Sequence, residues 1–279
     1  LSLALPARTI PIVSAVIKLS SPATGEFWEI AVLYEDEFLL ALNKPACLLT
    51  SPDRYDPERP NLMKLLHSGI AAQKPWARER NLTYLSNAHR LDFETSGVIL
   101  LAKTKPVLIK LADIFGAEKP AKKYAALVSG VPPADQFEID APLSAHPLKL
   151  GLMRVDHKNG KKSKTKFEVR ENFPQFGYAL LDCFPLTGRT HQIRVHAAHA
   201  GLKIIGDTQY GGKPLWLSRL KKDYVLKPSR EERPLISRVA LHAEQLQLPH
   251  PISGESLTIT ASWANDMTVA LKYLRKFAV

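Results

Sequence analysis

The sequence predicts an α+β protein in which helices pack on a mixed sheet. Three observations carry this. Several apolar runs have strand length, four other stretches read as helices, and the two kinds mingle irregularly with no fixed-period repeat or low-complexity tract. The chain of 279 residues is long enough to bury a large core without disulfide staples.

Taken in order, residues 1–29 are spotted with Pro and Ser and read as an N-terminal arm. "EIAVLYEDEFLLALNKP" reads as two short strands about the turn Glu35-Asp36-Glu37, with Pro45 ending the second. "SPDRYDPERP", residues 51–60, is loop by composition. "NLMKLLHSG" reads as a short helix capped by Asn61 and stopped at Gly69. Residues 71–86 are polar and basic, and Trp76 among Lys74, Arg78 and Arg80 suits either RNA stacking or an ordinary surface loop. Val98 to Leu101 form a continuous apolar run, as in a strand buried on both faces. "KPVLIKLADIFG" is an amphipathic helix ending at Gly116, and "KKYAALVSG" a strand with a glycine stop. The stretch 141–172 reads as a loop, a basic hairpin tip and a strand, and "YALLDCFPL" as a core strand. "TGRTHQIRVHAAHAG" is a helix with Thr190 as N-cap and Gly201 past its end. "IIGDTQYGG" is a glycine-punctuated turn. Two strands follow within 238–263, then a closing helix with Val269, Leu271 and Leu274 on one side.

Composition narrows the function. Lys plus Arg number 38 against 27 Asp plus Glu, a formal net charge of +11, which points to a polyanionic partner. No apolar stretch approaches the ~20 residues of a membrane span, and the opening residues lack the basic leader of a signal peptide. Cys47 and Cys183 form no Cys-x-x-Cys pair, so a thiolate metal site is not expected and a reducing cytoplasm is. Nucleotide-binding glycine motifs and the Gly-x-Ser-x-Gly nucleophile motif are absent.

The residues that could carry chemistry crowd into two stretches. In "HRLDFETSG", His89, Arg90, Asp92 and Glu94 precede a core strand, where polar groups are costly unless satisfied. An extended chain would set Asp92 and Glu94 on one face about 7 Å apart, whereas Thr95-Ser96-Gly97 favours a turn. In "GRTHQIRVH", Arg189 and Arg194 would project about 140° apart on a helix, so both cannot aim at one point. His191, His196 and His199 lack an acidic or thiol partner at ligand spacing, and no metal is expected.

Together these stretches resemble the RluA-type RNA pseudouridine synthases. The resemblance runs from about residue 31 to 262, in family order. It rests on "VLYEDEFLLALNKPACLLTSP", "HRLDFETSGVILLAKT", "KKYAALVSG", "PLTGRTHQIRVHAAHAGLKIIGDTQYGG" and "ALHAEQLQLPHPISGE". It implies a largely antiparallel, bent central sheet flanked by helices and loops, with a catalytic cleft. A catalytic domain is expected over 30–279, and the arm of residues 1–29 lacks the pattern of an S4-type RNA-binding module.

By position, the resemblance makes Asp92 the essential aspartate, Tyr124 the tyrosine against the target base and Arg194 the arginine paired with the aspartate. Arg90 matches the residue that enters the RNA as the uridine leaves it. Leu91, Thr95 and Leu241 are expected to line the pocket, and His89, Arg189, His191, Lys161 and Lys162 to join Arg90 in binding RNA. Two positions depart from the family pattern: Cys47 stands where glycine is usual, and Ala198 replaces a bulkier residue.

The reaction breaks the N1–C1′ bond, turns the uracil and joins C5 to C1′. It needs no cofactor and no metal, and a guanidinium beside Asp92 would favour the ionised carboxylate the chemistry requires. Attack at C1′, attack at C6 and proton removal at C2′ remain open. The implied partner is a stem-loop of ribosomal or transfer RNA, met by a cytoplasmic monomer that binds no membrane. The basic segments 158–166 and 213–238 would flank it. The rival readings are a catalytically silent RNA-binding or ribosome-assembly factor and an RNA glycosidase.

Overall fold

The computed structural model describes residues 16–53, 56–226 and 230–277. Two compact units emerge, one built from residues up to Ala121 with Ala243–Ser262, the other from Lys122–His242 with Trp263 onward.

The first unit is an antiparallel sheet. Strand β1 (Val16–Ser20) pairs with β2 (Phe27–Glu35), which pairs with β3 (Leu39–Lys44). The stretch expected to be an arm through residue 29 instead holds strand β1 and the start of β2: in β1, Ile17 and Leu19 point inward while Lys18 and Ser20 face water, an alternation too short to stand out among the prolines and serines. The first fifteen residues of that arm lie outside the described residues.

Helix α1 (Leu62–Ala71) is capped as expected, Lys64 N–H donating to Asn61 Oδ1 at 2.9 Å. It does not stop at Gly69. The absent side chain there makes room for Trp76, whose ring would lie 2.3 Å from a Cβ at that position. Trp76 belongs to α2 (Pro75–Arg78) and is buried, so it offers no stacking face to RNA. Arg80 is equally withdrawn, donating to Glu35, which also takes Lys103.

Strand β4 (Ser86–Asn87) pairs with β5 (Ser96–Ala102), which also pairs with β3 and is buried at every residue, as its apolar run predicts. Helix α3 (Lys105–Gly116) follows, capped by Thr104. Beneath the sheet, Asp36 accepts from Phe38 N–H, Leu39 N–H, Tyr34 Oη and His250 Nε2. Burial, reinforced by this carboxylate, pushes the Tyr34 phenol well above its usual range.

The second unit holds β6 (Ala121–Ser129, entering from the first unit), β7 (Gln136–Asp140), the small hairpin β8 (Leu143–Ala145) with β9 (Met153–Val155), β10 (Lys164–Phe173) and β11 (Tyr178–Pro185). The pairings β6–β11, β11–β10 and β10–β7 are antiparallel. Helix α4 (Gln192–His199) begins after His191, whose backbone adopts the left-handed conformation at φ 53°, so the cap position is His191 rather than Thr190. Strand β12 (Lys203–Ile204) pairs with β6.

Strand β13 (Leu241–Pro249) leads back into the first unit, where it pairs with β5 and with β14 (Ser256–Thr260). Gly97 at the start of β5 has φ 115°, and a Cβ there would meet Ala243 O at 2.2 Å. Helix α5 (Asn265–Phe277) ends the described chain. Its buried face is Met267, Ala270, Leu271 and Leu274, with Val269 displaced to the margin. Arg238 braces its first turn through two bonds to Asp266, at 2.7 and 2.8 Å.

The mixture of helices and antiparallel strands is the fold class expected. Among the described residues no helix is long and apolar enough to cross a membrane.

Candidate active site

The loop between β4 and β5 carries Asp92. Asn87 Nδ2 donates to His89 O at 2.9 Å, and the His89 ring stacks on Phe115 with centroids 5.1 Å apart. Leu100 N–H donates to His89 Nε2 at 3.1 Å, which leaves that nitrogen unprotonated. His89 thus ties the loop to β5 and α3.

The next residue but one is held as firmly. Thr50 Oγ1 accepts from Leu91 N–H at 3.2 Å and donates to Leu91 O at 3.0 Å. Thr95 N–H then donates to Asp92 O at 3.2 Å, closing a turn over Asp92-Phe93-Glu94-Thr95. The turn geometry prevails over the extended alternative. Arg90 is exposed, Asp92 and Glu94 are half-buried, and Leu91 and Thr95 are buried. The Thr95 hydroxyl has no hydrogen-bond partner among the described residues.

Under the turn lies Lys44, fully buried, its ammonium donating to Pro45 O, Leu48 O and, at 3.4 Å, Phe93 O. An ammonium is costly to bury, and these carbonyls repay it while fixing the turn from below. Lys44→Met is expected to leave those acceptors unmatched and to cost about 1–3 kcal/mol for each that water cannot reach, measured by chemical denaturation. Cys47, in the same segment, has φ 58°. That left-handed backbone explains why glycine suits the position.

In the second unit, Gln192 organises the residues before α4. Its Oε1 accepts from Thr187 Oγ1 (2.6 Å) and Arg189 N–H (3.0 Å), and its Nε2 donates to Lys164 O and Thr165 Oγ1. Arg189 precedes the helix, so the helical projection that separated it from Arg194 does not apply. It is half-exposed, its Nε donating to Lys162 O at 3.0 Å, which gathers Arg189 with the exposed Lys161 and Lys162.

Arg194 is buried. Its Nε donates to Asp207 Oδ2 at 2.7 Å, and its Nη2 to Asp207 Oδ1 at 2.8 Å and Gln209 Oε1 at 2.7 Å. The Tyr210 ring lies under the guanidinium, 5.0 Å from Cζ to centroid. Tyr210 Oη accepts from Met153 N–H and bonds His191 Nδ1 at 2.8 Å. One short turn, 207–210, thereby clasps both Arg194 and His191. Gly206 permits the turn, with φ 77° and room for no Cβ against Arg238 O. No sequence motif singles out Asp207, although an acidic residue framed by glycines in "IIGDTQYGG" is a visible sign.

Tyr124 is half-buried on β6, opposite Cys183 and packed on the second unit's core, and Leu241 is buried in that same core. Both nitrogens of the fully buried His196 are engaged: Nδ1 accepts from Thr165 Oγ1, and Nε2 donates to Ala141 O. No group of three His, Cys, Asp or Glu among the described residues is placed to hold a metal ion.

Burial, first, holds His196 below its ordinary value of 6.5. In that situation the unfolded chain takes up a proton before the folded one, so the stability this histidine provides is complete above pH 6.5 and declines as pH falls below it. Thermal midpoints are expected to fall on acidification from about pH 7 to 5, with a shallower slope in His196→Gln.

Each unit presents one feature: the first an Asp92 held in a turn at the head of a buried strand, the second a buried Arg194 oriented by Asp207 at the start of a short helix. The family model described as RNA pseudouridylate synthase matches residues 38–199, more than half of the chain. The chain belongs to that family. "Ribosomal large subunit pseudouridine synthase D" of Haemophilus influenzae is 34% identical over 245 residues, 88% of this chain and 70% of that protein. "Dual-specificity RNA pseudouridine synthase RluA" of an Escherichia coli O6:H1 strain is 32% identical, covering 83% of this chain and 92% of its own. The solved structure of Human RNA Pseudouridylate Synthase Domain Containing 4 shares the fold, with a TM-score of 0.64 at 23% identity over 88% of this chain and 92% of that one.

Proposed function

We propose that this member of the family isomerises uridine in ribosomal RNA, with Asp92 as the reacting carboxylate and Tyr124 and Arg194 as further catalytic side chains. The observation that carries the reading is the turn itself. Asp92 stands half-exposed just after an exposed Arg90 and a buried Leu91, on a loop pinned by Thr50, His89 and Lys44. A carboxylate so fixed meets a flipped nucleotide without first being ordered.

The uridine leaves its helix at a cost of a few kcal/mol, which Arg90 offsets by filling the vacated place. Asp92 assists cleavage of N1–C1′. The uracil turns, C5 bonds to C1′, the C5 proton is lost and N1 regains one, so no atom enters or leaves overall. By the family resemblance, Tyr124 is the residue proposed to meet the ring, Arg194 the arginine proposed to act with Asp92, and Leu91, Thr95 and Leu241 the proposed pocket residues. Arg189, His191, Lys161 and Lys162 bind phosphates. Ribosomal RNA is favoured over transfer RNA because several of the similar proteins bear the name ribosomal large subunit pseudouridine synthase. The enzyme works as a cytoplasmic monomer without a nucleotide cofactor.

Mapping pseudouridines by chemical labelling in cells with and without the gene tests this. One or more ribosomal uridines are expected to lose the modification in the deletion. An unchanged ribosomal map, or free uracil as the product, would refute the assignment.

A further inference from the structure

Phe93, the residue after Asp92, carries an arginine on its ring. The Cζ of Arg59 lies 4.0 Å from the ring centroid, well inside cation–π range. The arginine comes from the loop before α1, and its backbone is held on both sides. Arg59 N–H donates to Asp56 O at 3.2 Å, and the helix cap Asn61 donates from Nδ2 to Arg59 O at 3.4 Å. Phe93 is fixed in turn through its carbonyl, which accepts from the buried Lys44.

A guanidinium laid on an aromatic ring is pre-ordered, and its N–H edge still points outward in one plane. Here that edge meets Asp53 only at 3.9 Å, beyond hydrogen-bonding reach, and the Arg59 side chain is 38% exposed. A contact so long and wet is readily exchanged for a better anion. Arg90, on the other side of Asp92, is exposed as well. The loop that presents the carboxylate is therefore flanked in sequence by Arg90 and by the arginine-covered Phe93.

We propose that Arg59, stacked on Phe93, binds a backbone phosphate of the RNA strand beside the uridine being isomerised. The site takes a phosphodiester oxygen pair edge-on, releasing Asp53. Arg59 then acts in substrate binding rather than in the chemical step. The inference rests on the reading of Asp92 given above.

The test uses the full chain with Arg59→Met, Arg59→Lys and Phe93→Leu. Affinity is measured by fluorescence anisotropy on a labelled RNA hairpin with a uridine-containing loop, across a series of potassium chloride concentrations. Turnover is measured on an unmodified large-subunit ribosomal RNA transcript. Arg59→Met is expected to weaken binding about tenfold, the loss of a charged hydrogen-bonded contact. It should also flatten the plot of log affinity against log salt by about 0.7–0.9, one phosphate contact. The turnover rate at saturating RNA should stay within about twofold of native. Arg59→Lys should restore the salt slope but not the affinity, and Phe93→Leu should weaken binding with the slope retained. Native affinity and slope in Arg59→Met would overturn the proposal, as would a fall in saturated turnover with unchanged affinity, which marks a latch on the Asp92 turn. A native protein that binds the hairpin but makes no pseudouridine refutes the reading of Asp92, and leaves the affinity arm to decide on Arg59.

Discussion

Asp92→Asn abolishes pseudouridine formation while RNA binding survives. The expected loss is at least the 10²–10⁴-fold that a positioned acid or base contributes, and larger if the carboxylate forms a covalent bond. The fold should tolerate the change. Asn is isosteric, Asp92 is half-exposed, and the turn is held through backbone groups by Thr50, Lys44 and the Thr95 N–H. Removing a negative charge from a chain of net charge +11 should not weaken attraction to RNA. A thermal midpoint and an RNA affinity close to native, with turnover at background, separate lost chemistry from lost structure.

The second large effect is expected at Asp207. It forms two bonds to the buried Arg194 and is itself buried. Removing Asp207 takes two charge-assisted bonds from a buried guanidinium, and breaking a buried pair costs about 3–5 kcal/mol. Asp207→Ala should therefore lower stability by that order in a denaturation series. Arg194→Met in the same chain should recover part of the loss, since the guanidinium that lost its Asp207 partner is then removed as well. Turnover is expected to drop about 10²-fold at conditions where Asp207→Ala is still folded, because a guanidinium displaced by an ångström no longer meets its target. RNA affinity should fall far less. Equal losses in affinity and turnover would point to a site that has simply come apart.

Local pattern made much of the fold legible. The hairpin β2–β3 follows from alternating apolar residues about an acidic turn, β5 from four consecutive apolar residues, and α1 from Asn61 at its cap. What local pattern cannot carry is a partner far along the chain. Glu35 binds Arg80 and Lys103, 45 and 68 residues away, so Arg80 read as a surface arginine. Gly69 read as a stop because nothing near it shows that Trp76 fills its place. The start of α4 shifted because His191 takes a left-handed backbone, a conformation uncommon outside glycine and rarely announced by residue type.

The site divides in the same way. The short spacing of Arg90, Leu91, Asp92 and Thr95 puts them on one loop whatever the distant chain does. The supports for that loop and for Arg194 come from Lys44, Thr50 and Asp207, which only folding brings near.

Tritium release from ribosomal RNA labelled at C5 of uridine is the most direct measurement, because joining C5 to C1′ must expel that hydrogen to water. The native chain should release tritium in step with pseudouridine, with no free uracil, and Asp92→Asn should release none above background. Release at the native rate by Asp92→Asn would contradict the account.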